Sequence, residues 1–224
     1  MSDAAPAASA PPRWLLIVLA CLAIGGLAFA IGRFSTFGAS TATPSTDSAE
    51  AGFSRDMQVH HAQAIAMAME IYRKTDDEEV RVLSYDIATG QAGQRGEMFD
   101  WLVQWGLPQA GGPMMAWMSS SEAGHAHGGA DPGAELTDDE ARQAMGMATD
   151  AELGALADGS GQEADCLFLE LMIRHHEGAV PMAAAVIELG SEPRVLRVAE
   201  SIRAGQTAEI ETMQAMRERL GCGG

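Results

Sequence analysis

The sequence predicts an all-α protein, a four-helix bundle built from two repeated helical hairpins behind an N-terminal transmembrane or signal helix. Three observations carry this. Residues 14–31 form a run of 18 residues without a charge. The chain matches itself without a gap at an offset of 115 residues. Within each copy the apolar positions step by three and four, the spacing of one helix face.

Residues 1–13 form an N-terminal tail. The next segment, 14–32, begins WLLIVLACLAIGGLAFAI and lies between Arg13 and Arg33. A helix of about 20 apolar residues is what a bilayer core requires, so a retained single-pass anchor with an extracytoplasmic C-terminal domain is expected. Gly25, Gly26 and Ala28-Phe29-Ala30 also resemble the end of a cleavable signal peptide, which leaves open export to the cell envelope without an anchor. Cys21 sits mid-segment after Leu19, an unsuitable setting for lipidation, and reads as a lipid-facing residue. Residues 33–51 are small, polar and without periodicity, as in a flexible linker.

The folded part, 52–221, divides into hairpin one (52–107), a connection (108–160) and hairpin two (161–221). The repeat pairs Phe53 with Phe168, Met57 with Met172, His60-His61 with His175-His176, Met67 with Met182 and Met98 with Met213. In each copy a first helix carries MxxHHxxAxxMA. A polar break follows, at Thr75–Glu79 or Gly190–Pro193, and then a second periodic run. Four helices of about 22 residues, each about 33 Å long, suffice to bury one core. The connection carries two capping-box signatures, Thr137 with Glu140 and Thr149 with Glu152, and is expected to hold one or two short helices. Gly90 and Gly205 mark close helix contact or open room inside their helices. Pro181 is expected to kink its helix by freeing the Glu177 carbonyl.

Composition narrows the function. Asp and Glu number 31 against 14 Lys and Arg, a net charge of −17 that excludes a basic nucleic-acid binder, while 47% apolar residues exclude a disordered chain. The 14 methionines exceed what core filling obviously needs. No Gly-x-Ser-x-Gly elbow, phosphate loop, HExxH or Cys-His pairing is visible in the repeat, so a binding module is favoured over an enzyme.

The chemistry-bearing residues lie on the inward face of the repeat. Met57, His60 and Met67 share one helix face, as do Met172, His175 and Met182. Folding each hairpin about its break sets Gln91, Gln94 and Met98 opposite His60, and Gln206, Glu209 and Met213 opposite His175. With His61 and His176, these His and Met residues and Glu209 form the candidate metal ligands. Neutral imidazole and thioether suit copper, so copper is the implied cofactor. On helical spacing, His61 and His176 lie about 100° round from the inward face and carry less weight. Copper binding through imidazole should weaken as pH falls toward 5.

The alternative is a hydrogen-bonded His, Gln and Glu network in an envelope structural or interaction protein, and a third class is a metal-dependent oxidoreductase. A second candidate site is the connection, where Met114, Met115, Met118, His125, His127, Met145 and Met147 cluster; its rival is a set of Met residues covering the end of the bundle. Cys166 and Cys222 fall at matching ends of the second hairpin, and a disulfide between them is geometrically reasonable.

With MxxHHxxAxxMA in both copies, and Gln206 to Met213 following in the second, the sequence resembles an exported bacterial family of unknown function with duplicated His-His motifs. The resemblance covers about Gly52 to Leu220 and implies a ferritin-like fold. Because the family includes a periplasmic copper-binding member, it also implies copper sequestration or tolerance in the envelope. The first copy departs in having Gln94 where the second has Glu209, and in carrying Gly93 and Gly96.

Overall fold

The computed structural model describes residues 13–37, 43–122 and 136–223, and the regular elements among those residues are all helices, without a strand. It divides into two units, Met1–Thr43 and Pro44–Gly224. The first unit holds helix α1, Arg13–Phe37, whose large apolar side chains, among them Trp14, Ile17, Leu22, Leu27 and Phe29, are exposed, as is the free thiol of Cys21. Among the described residues no helix is long and apolar enough to cross a membrane, the side chains of α1 being described only as far as Phe29.

The second unit is built on four long helices: α2 (Ala49–Tyr72), α3 (Glu78–Trp105), α6 (Gly161–Leu189) and α7 (Pro193–Leu220). Helix α2 begins before the expected start of the folded part because Ser48 caps it, its Oγ accepting the Ala51 N–H at 3.2 Å. Asp77 caps α3 in the same way, Pro193 occupies the first turn of α7, and left-handed Gly106 and Gly221 close the two second helices. Helix α2 packs on α3, α6 on α7, and the hairpins join through α2 and α6.

The duplication extends to how the copies lock together. Buried Glu50, at the start of α2, accepts the Ser191 N–H at 2.6 Å and the Glu192 N–H at 3.1 Å in the break of hairpin two. Burial pushes the Glu50 carboxyl up, but these N–H groups outweigh it and hold the carboxyl below its ordinary value. Asp165, 115 residues later, is also buried and bonds to Thr75 in the break of hairpin one.

Both capping boxes of the connection are formed, and they start α4 (Asp138–Ala144) and α5 (Asp150–Asp158). A short 3-10 turn spans Ala116–Met118. Met115, Met118, Met145 and Met147 are buried in the core beside Met57, Met98 and Met182, which favours the rival reading, methionines that cover the bundle, over a second site of soft ligands. The connection folds back over the helices, and its methionines fill the gap there. His125 and His127 lie outside the described residues.

The close fit of the connection rests on two glycines. A Cβ on Gly178 would lie 1.8 Å from the Met145 carbonyl oxygen, and one on left-handed Gly146 would lie 2.1 Å from that of Arg174. By contrast, nothing comes within 4 Å of a Cβ at Gly90 or Gly205, so these glycines mark room and not close contact. Helix α6 runs unbroken across Pro181. Cys166 and Cys222 form a disulfide with Cα atoms 5.5 Å apart, tying the start of α6 to the end of α7.

Candidate metal centre

Two apolar clusters approach a layer of four histidines from opposite ends. One contains Phe53, Met57, Met98, Ala179 and Met182; the other contains Ala64, Met67, Phe168, Met172 and Met213. In α2 and α6 alike the His pair falls where one cluster gives way to the other. All four imidazoles are fully buried. The rings of His60 and His175 stack across the α2–α6 contact with centroids 3.6 Å apart, and each lies 6.3 Å from the ring of its sequence neighbour.

Every ring has one satisfied nitrogen and one bare nitrogen. His60 Nε2 lies 3.0 Å from the Met145 carbonyl and His175 Nε2 lies 3.1 Å from the His60 carbonyl. His61 Nε2 is 2.8 Å from Gln94 Oε1, and His176 Nε2 is 2.6 Å from Glu209 Oε2. Each of these oxygens can only accept, so each Nε2 carries the proton and donates. In the neutral tautomer the four Nδ1 atoms then present lone pairs, and all four are buried without a hydrogen-bond partner. Burial, reinforced by the neighbouring imidazole of His61, pushes His60 down to about 3, and burial pushes His61 down to about 4. Burial and the ring of His60 hold His175 well below its ordinary value. These three rings are therefore neutral at pH 7.

Two expectations change here. Gln94 and Glu209 meet His61 and His176, whereas His60 and His175 meet backbone carbonyls. His61 and His176 are as buried as His60 and His175, because α3 and α7 cover the side that α2 and α6 leave open. The role of Met145 escaped sequence reading, although Gly178, set inside a helix where the first copy has Gln63, signals the close approach that brings its carbonyl to His60. Met57, Met67, Met98, Met172, Met182 and Met213 are all buried, divided between the two clusters, and Glu209 is a third exposed. Among the described residues no three His, Cys, Asp or Glu side chains converge on one point as a metal centre.

The family model for the domain of unknown function DUF305 matches residues 50–217. The chain belongs to this family. A DUF305 protein of Streptomyces coelicolor, inferred to be secreted, is 39% identical; the match covers 80% of this chain and 97% of that one, with a TM-score of 0.68. A DUF305 fragment from Deinococcus radiodurans is 32% identical over 76% of this chain and 96% of its own, with a TM-score of 0.60. CopM in its Cu(I)-bound form is 25% identical over 75% of this chain and 94% of its own, with a TM-score of 0.52. CopM structures also exist with Cu(II) and with silver. No curated protein matches significantly.

Proposed function

We propose that this DUF305 protein binds copper in its histidine layer and serves to sequester the metal or confer tolerance to it in the cell envelope. One observation carries the reading. All four imidazoles are held in the Nε2–H tautomer by an oxygen acceptor, which is how ligating histidines are oriented, and all four Nδ1 atoms are left without a hydrogen-bond partner in the buried layer. Soft thioethers from Met57, Met98 and Met182 on one side, and from Met67, Met172 and Met213 on the other, complete a set suited to copper, with Glu209 behind His176. The copper and silver complexes of CopM support this choice of metal. A helix apolar on every face supports anchoring through residues 14–32, joined by the linker to the ferritin-like bundle, and the S. coelicolor relative supports export.

The second reading, a purely structural layer, is favoured by the four satisfied Nε2 atoms. Competition titration of the metal-free full-length chain with a Cu(I) chelator separates the two. On the copper reading, His60→Ala with His175→Ala weakens binding by more than about 100-fold, beyond what loss of an outer-shell partner produces, and His61→Ala with His176→Ala does the same. Unchanged copper affinity in folded double variants, judged by thermal melts, leaves the structural reading standing.

A further inference from the structure

A cavity of about 60 Å³ lies between α3 and α7, which barely touch each other. Its walls come from five pairs of repeat-related positions, among them Gly90 with Gly205, Gln91 with Gln206 and Gln94 with Glu209. It therefore sits on the pseudo-twofold axis of the duplication. Gln91 and Gln206 are each only 4% exposed, and neither the oxygen nor the nitrogen of either carboxamide has a hydrogen-bond partner. Leaving such groups bare in a dry site costs on the order of 1 to 3 kcal/mol each, so the cavity is built for polar contents. It has room for several waters and none for an organic molecule of ordinary size.

Charge selects the class of occupant. Asp86 and Glu209 stand on the walls, and no Lys, Arg or His does. A cation fits and an anion does not. Two wall residues also hold the histidine layer, since Gln94 bonds to His61 and Glu209 to His176. The imidazoles of His61 and His176, which have no exposure of their own, therefore lie one side chain behind the cavity wall.

We infer that this cavity is the port of the metal centre: a partly hydrated cation rests on the pseudo-twofold axis, held by the carboxamide oxygens of Gln91 and Gln206 and by the carboxylates of Asp86 and Glu209, before it passes to His61 and His176. The inference rests on the copper reading above and adds the route. It also accounts for Gly90 and Gly205. Each costs its helix about 1 kcal/mol relative to alanine, without any close neighbour that would demand a glycine. Their missing side chains keep the mouth open.

Stopped-flow quenching of tryptophan emission by Cu²⁺, in the full-length chain, tests the route separately from the site. Gly90→Leu with Gly205→Leu fills the mouth where nothing stands within 4 Å, so the fold is kept. Association and dissociation should both slow by about tenfold, with Kd unchanged. Gln91→Leu with Gln206→Leu removes the carboxamides at nearly constant volume. It should slow association and raise the melting temperature of the metal-free protein. Wild-type association rates in both double variants, or a loss of affinity at an unchanged association rate, overturns the port. A wild-type chain that fails to bind Cu²⁺ and Cu(I) overturns the copper reading itself.

Discussion

The two hairpins carry the same His-His pair on the same helix and differ in what surrounds it. In the first, His61 donates to the neutral amide of Gln94 at 2.8 Å; in the second, His176 donates to the carboxylate of Glu209 at 2.6 Å. Two positions after the pair, Gly178 lets the connection's backbone come against α6, while its counterpart Gln63 grips the connection by two hydrogen bonds, to the Ala148 carbonyl at 2.9 Å and from the Ala148 N–H at 2.7 Å. A disulfide ties the second hairpin alone. Burial demands only that each Nε2–H find an oxygen, and both copies meet that demand. The charge of that oxygen, and the means of seating the connection, were free to diverge.

The largest expected effect tests whether the two copies titrate as one layer. The folded-state values of His60, His61 and His175 lie below the ordinary imidazole value of 6.5, so as pH falls the unfolded chain takes up protons first. Stability from these groups is full above pH 6.5 and drains as pH falls below it, down to about 4 for His61 and about 3 for His60, at about 1.4 kcal/mol per pH unit per histidine. By pH 5 the metal-free protein should lose about 2 kcal/mol for each of His60 and His61, or about 4 kcal/mol as a ceiling for the two, with His175 acting in the same direction. Burial raises the carboxyls of Asp56 and Asp165, which acts in the opposite sense but from the lower ordinary value of 3.8. Denaturant unfolding from pH 7 to 5 measures the slope. His61→Gln should reduce it by one histidine's share, and an unchanged slope would mean that the first copy's ring is not part of the titrating layer. Because protonation in the folded state is displaced to about 3 or 4, copper binding by folded protein should persist at pH 5, contrary to the expectation from free imidazole.

A smaller effect separates the two ways of seating the connection. In Gly178→Ala a methyl group would meet the Met145 carbonyl at 1.8 Å, so backbone must move and the acceptor of His60 moves with it. A cost of about 3 kcal/mol is expected, in the range of forced backbone shifts and buried bonds broken together. Gln63→Ala loses two hydrogen bonds without a clash, and about 1 to 2 kcal/mol should follow. Equal losses in urea unfolding would show that the connection is not seated by the glycine.

Helical period, the 115-residue repeat, the hairpin breaks, both capping boxes and the Cys166–Cys222 pairing were all legible in the sequence, because each depends on residues close in the chain or on one fold-back of a hairpin. The surroundings of the histidines were not. Helical spacing ranks positions around one helix, and on that scale His61 and His176 look peripheral. In the folded unit α2 and α6 have neighbours on several sides, so a face 100° away is buried too. The acceptor of His60 is a backbone carbonyl 85 residues distant, which helical spacing cannot announce and which only the mid-helix Gly178 marks in the sequence. The methionines of the connection left two readings open for the same reason: composition could not distinguish a set of soft ligands from a cover packed into the core, and the burial of Met115, Met118, Met145 and Met147 favours the cover.

The smallest expected effect makes the two copies alike. Glu209→Gln gives the second hairpin the neutral partner that Gln94 supplies in the first, with little change of shape. Metal-free stability should barely move, since the His176 Nε2–H keeps an oxygen acceptor and Glu209 is already a third exposed. Copper affinity should respond, because a carboxylate behind an imidazole raises its basicity as a ligand more than an amide does. A drop of about tenfold is expected, the low end for an outer-shell partner. Gln94→Glu should move the first copy the other way, and the double exchange should restore the wild-type total with the roles of the hairpins reversed. Competition titration with a Cu(I) chelator reads all three variants. Should the single exchanges leave the affinity unchanged while the protein still binds copper, the charge of the partner is immaterial, and the divergence between Gln94 and Glu209 belongs to the surface of the domain and not to its metal chemistry.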